Sequence, residues 1–104
     1  MRTLLKVSME INAGNAAIAN GTFPSVIKDT IDRIKPEASY FYADNGHRTA
    51  LMVFDLKDAS EIPSIAEPLF FMLKARVELS PVMNVEDLQK GLKTAVKTQY
   101  ETVQ

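Results

Sequence analysis

The stretch Tyr40–Leu56, YFYADNGHRTALMVFDL, decides the fold. Asn45-Gly46 separates two runs rich in aromatic and β-branched residues. A two-residue type I′ turn needs positive φ at both central positions, and Asn-Gly supplies this with the least strain. The reading is therefore a β-hairpin, with strands over about Ala38–Ala43 and Arg48–Leu56. A two-residue turn also fixes the register: Tyr42 opposes Thr49, Tyr40 opposes Leu51, and Ala38 opposes Val53. Directly opposed residues share a face. One face is thus Ala38, Tyr40, Tyr42, Thr49, Leu51 and Val53, and the other is Ser39, Phe41, Ala50, Met52 and Phe54. The second set is the more uniformly apolar and is assigned to the core.

Before the hairpin, Thr3–Ile11 alternates, with Leu5, Val7, Met9 and Ile11 apolar against Lys6, Ser8 and Glu10. Period two over this length predicts a half-buried strand. Asn12-Ala13-Gly14-Asn15 breaks the pattern, and a short helical turn is expected over Asn15–Asn20, closed by Gly21. A helix follows, capped by Thr22, with Pro24 in its first turn and Pro36 ending it. Phe23, Ile27, Ile31 and Ile34 form its apolar stripe.

After the hairpin, Asp58 or Ser60 caps a helix with Pro63 near its start and Ile62, Ile65, Leu69 and Met72 facing inward. Pro68 is expected to kink or split this helix by removing a backbone hydrogen bond. Ala75–Ser80 alternates as a fourth strand, closed by Pro81. Asn84 caps a last helix whose Val85, Leu88, Leu92 and Val96 are expected to face inward. Lys90, Lys93 and Lys97 form a basic stripe, and Glu86 four residues before Lys90 reads as a helix-supporting pair on a solvated face.

The order β-α-β-β-α-β plus a terminal helix predicts an α+β fold of the ferredoxin-like type. Two split βαβ units would place helices on one face of a four-stranded antiparallel sheet, with the first and third strands central. The 104 residues form a single domain, with 46% hydrophobic and 24% charged residues. A net charge of -1 argues against nucleic acid as a partner. The absence of cysteine removes disulfides and thiolate chemistry. No run approaches the roughly 20 apolar residues of a membrane span, and the expected location is the cytoplasm.

The hairpin face carrying Tyr40, Tyr42, Leu51 and Val53 joins Lys6, Ser8, Glu10, Arg76 and Glu78 on the helix-free side. So mixed an apolar patch calls for a cover. Lys6, Glu10, Tyr40, Tyr42, Arg76 and Glu78 are the candidate ligand-binding residues, the charges as a polar floor and the phenols as donors and apolar walls. As cross-strand neighbours, the charges equally suit an ion-pair network. A shared proton between Glu10 and Glu78 would require the two to come close. His47, the sole histidine, reads as a solvent-facing turn residue. With no second histidine and no cysteine, neither a metal site nor a cofactor is expected. Asn12, Asn15 and Asn20 around Gly14 and Gly21 read as turn and cap residues.

The segments MRTLLKVSMEI-NAGN, YFYADNGHRTALMVFDL and IPSIAEPLFF resemble small bacterial proteins of unknown function in the dimeric α+β barrel superfamily. That resemblance covers nearly the whole chain and implies two ferredoxin-like sheets paired face to face in a homodimer. It implies no catalytic residues. The functional expectations are a homodimeric module that binds a small apolar organic molecule over the sheet face, a small cofactor-independent enzyme of monooxygenase or isomerase type, or an interaction adaptor using the second strand or the terminal helix.

Overall fold

The computed structural model describes residues 1–100. In it a four-stranded antiparallel sheet is built from β1 (Arg2–Met9), β2 (Ala38–Asp44), β3 (His47–Asp55) and β4 (Ala75–Pro81), in the order β2-β3-β1-β4. The central strands are β1 and β3, as the sequence implies. Asn45 and Gly46 both take positive φ, 53° and 77°, and the hairpin register pairs Tyr42 with Thr49, Tyr40 with Leu51 and Ala38 with Val53. The turn therefore fixes every facing pair of the hairpin.

Burial alternates without a slip along β1, where Thr3, Leu5, Val7 and Met9 are buried and the residues between them are half-exposed. With Ala50, Met52 and Phe54 of β3 they form the sheet side of the core. Ala17, Val26, Ile27, Ile65, Leu69 and Leu73 cover them from the helix side. These come from α1 (Ile11–Ala19), α2 (Thr22–Ile34) and α3 (Ile62–Leu73). Phe41 shares the parity of Ala50 but stays 54% exposed, because edge strand β2 runs beyond the cover of the helices.

The hairpin strands shift by one residue, ending at Asp44 and starting at His47, and four larger departures from the sequence reading stand out. First, β1 stops at Met9, and Ile11 is helical and exposed. The chain turns straight into α1 because the Glu10 carboxylate accepts the Ala13 N–H at 2.8 Å and caps the helix. The Asn12–Asn15 stretch taken for a break is thus inside α1. Second, Thr22 is not a cap. Gly21, at φ 80°, occupies that position, and the Asn20 side chain accepts the Thr22 N–H at 2.9 Å.

Third, α3 passes Pro68 unbroken. The missing N–H would have served the Ser64 carbonyl four residues back, and the Arg33 guanidinium of α2 donates to that carbonyl instead. At the same end of the helix, Leu73 rather than Met72 enters the core. Asp58 caps the short turn Ala59–Glu61 through the Ser60 N–H at 3.0 Å.

The largest difference is α4 (Val85–Ala95), extended by a wider turn over Val96–Tyr100. Its start follows expectation, with Asn84 and Asp87 exchanging side-chain-to-backbone bonds in a capping box. Its packing does not. No residue of α4 is buried, and Val85, Leu88, Leu92 and Val96 are exposed rather than inward-facing. A compact chain of this length has a radius of gyration of about 13 Å. The observed value is 17.4 Å, with a long axis of 62 Å, so α4 projects from the body.

Candidate functional site

The sheet face opposite the helices is set by register alone. Lys6 lies between Leu51 and Glu78, and Ser8 between Thr49 and Arg76. Leu4 lies between Val53 and Ser80. The face therefore has two ends. Near the hairpin tip it carries Lys6, Ser8, Asp44, His47, Arg76 and Glu78. Toward the other end it carries Leu4, Ala38, Tyr40, Leu51 and Val53. Leu4, Leu51 and Val53 remain half-exposed on central strands, and Tyr40 is 65% exposed. Among the described residues, none covers this apolar end.

A cleft of about 470 Å³ occupies the polar end, lined by Lys6, Ser8, Met9, Glu10, Asp44, Asn45, His47, Arg76 and Glu78. It gathers four of the six residues singled out in the sequence. The other two, Tyr40 and Tyr42, stand outside its lining on the same face. The cleft also holds Asp44 and His47, which were not counted as site residues. The signal for them was present: Asp44 opposes His47 and has the parity of Tyr42.

The ion pairs are arranged differently from the cross-strand pattern expected of Lys6, Arg76 and Glu78. The Lys6 ammonium reaches over β3 to the Asp44 carboxylate at 2.5 Å. That hydrogen bond, with further support from Tyr42 and Glu78, raises the Lys6 pKa above its ordinary value. Arg76 and Glu78 meet along their own strand at 3.6 Å, with the Arg76 side chain 80% exposed. On the face itself, the Ser8 and Thr49 hydroxyls lie 3.2 Å apart, and Thr49 Oγ1 donates to the His47 carbonyl at 3.0 Å. This bond satisfies the hydroxyl of a threonine buried on the open face.

Glu10 sits at the rim as the cap of α1. The N–H groups of Asn12 and Ala13 lower its pKa, and nearby His47 lowers it further. An ionised cap with an imidazole neighbour is a different unit from a proton-sharing pair with Glu78. His47 itself is exposed, its Nδ1 lying 3.1 Å from the Asn45 carbonyl. Among the described residues, no cluster of three histidine, cysteine or acidic side chains could hold a metal ion. No helix among them is long and apolar enough to cross a membrane.

What the arrangement can do is bind. It sets a partly solvated ammonium and an exposed guanidinium beside an apolar strip, all on rigid strands. Compared with known proteins, the chain matches no family model, no curated protein and no solved structure.

Proposed function

We propose that the protein is a homodimeric binding module for a small organic ligand, built as the ferredoxin-like half of a dimeric α+β barrel. The observation that supports this most is the two-ended open face. A second copy laid across it would cover Leu4, Leu51, Val53 and Tyr40 and would close the cleft at the polar end. Such a contact is self-complementary, as a two-fold interface must be. The ligand's apolar body would lie along Leu51 and Tyr42, and its polar group would meet Lys6 and Arg76. Anilinonaphthalene sulfonate, an apolar anion, is a suitable probe. Its fluorescence should rise on binding, fall with Leu51→Asp and Arg76→Ala, and persist with Leu88→Asp on α4. An equal signal from all four proteins would sink the reading.

A second reading, a small cofactor-independent enzyme that moves a proton, draws on the placement of His47 beside the ionised Glu10 carboxylate in the same cleft. Imidazole is the side chain best suited to that step near neutral pH. His47→Gln should leave probe binding intact while abolishing any turnover.

A further inference from the structure

The unpacked state of α4 carries information beyond the sheet-face dimer. The helix shows every mark of a stable element at its start: a capping box and acidic Glu86 and Asp87 in its first turn. Arg2 ties that start to the body, pairing with Glu37 at 2.8 Å and reaching Asp87 at 3.5 Å. Beyond the first turn no residue of α4 is buried among the described residues, although Val85, Leu88, Leu92 and Val96 make a continuous apolar stripe. An isolated helix of this length is marginal in water and is stabilised mostly by packing its apolar face. Because α4 projects from the body, another chain is the natural cover.

The pattern of the helix identifies that chain. Laid antiparallel on itself, the stripe matches its own image: Val85 falls against Val96 of a second copy, and Leu88 against Leu92. The charges agree. Glu86 and Lys93 border the same side of the stripe, so an antiparallel pair sets each Glu86 against the partner's Lys93. A parallel two-fold pair would instead set that charged border against the partner's uncharged Gly91 and Ala95 border, with no such pairing. On the opposite border Gly91 and Ala95 are small, and Gly91 has open space around it, which lets the two backbones approach closely.

We propose that α4 is a self-association element that pairs antiparallel with α4 of a second copy. One short helix from each copy makes the contact, and it is expected to form at high protein concentration. It is independent of the sheet-face contact. Where both form, sheet-paired dimers join through α4 into assemblies of higher mass.

Sedimentation velocity of the full chain, from low micromolar to submillimolar concentration, tests this, with circular dichroism confirming that each variant folds. Leu88→Asp should abolish the step to higher mass at high concentration, and Leu51→Asp should leave the α4 step in place. Glu86→Lys alone and Lys93→Glu alone should each weaken the step at least several-fold, and the two together should restore it. A wild-type mass that does not change with concentration would overturn the proposal. So would a Leu88→Asp profile equal to wild type, or a double charge exchange that fails to rescue. Loss of the sheet-face step with Leu51→Asp while the α4 step persists supports the α4 pairing. Loss of both steps with Leu51→Asp would contradict its independence.

Discussion

Single residues carry much of the local logic, and several do so against their intrinsic preference. Lys35 and Lys74 end α2 and α3 in the left-handed region, at φ 47° and 51°. A non-glycine residue there costs roughly 1 kcal/mol. Lys74→Gly should therefore stabilise the protein by up to about 1 kcal/mol, raising the thermal midpoint by roughly 4–8 °C in a calorimetric scan. Asp55 is a second case. Lys57 bonds its carboxylate at 2.7 Å, and with the terminal amine lowers its pKa to about 2. A lowered folded-state value stabilises above the ordinary carboxylate value of 3.8 and loses that contribution as pH falls toward about 2. Asp55→Asn should thus lower the urea midpoint at neutral pH, and the gap to wild type should close near pH 2. A gap unchanged by acid would contradict the assignment.

Elements show where a linear reading succeeds and where it fails. The register of the hairpin was legible to the residue because its turn chemistry and its alternation are both local, whereas its strand ends shifted by one residue and Phe41 stays exposed. Gly46 at φ 77° has no close neighbour, so Gly46→Val should act through backbone strain alone. The expected cost is about 1–2 kcal/mol in urea unfolding, with the core contacts intact. Helix α3 was misread at Pro68 because the compensation is not local. The donor to the Ser64 carbonyl lies thirty-one residues away on α2.

That compensation can be measured as a coupling. Arg33→Met should cost about 1 kcal/mol in the wild-type chain and clearly less in a Pro68→Ala background, where the helix supplies its own N–H. Equal costs in both backgrounds would show that the Arg33 bond does not replace the lost one. The start of α1 was missed for a similar reason. Glu10 continues the alternation of β1 in the sequence, yet its carboxylate is taken by the N–H of Ala13. Amphipathicity in α4 was read correctly as a stripe, but periodicity does not say which molecule the stripe packs against.

At the scale of the whole molecule, the apolar surfaces left exposed among the described residues include the far end of the open sheet face, the stripe of α4, and Phe70, Phe71 and Met72 at the end of α3. The six candidate residues divide between a charged cleft and an apolar wall, and a second copy laid across the sheet would bring the two into one enclosed space. That closure is the central claim, and the mass of the assembly tests it most directly. Multi-angle light scattering at low micromolar concentration should give twice the 11.6 kDa of one chain. Leu51→Asp, folded by circular dichroism, should give the mass of a single chain. A wild-type protein that elutes with the mass of one chain, or a Leu51→Asp variant that still pairs at that concentration, would contradict the account.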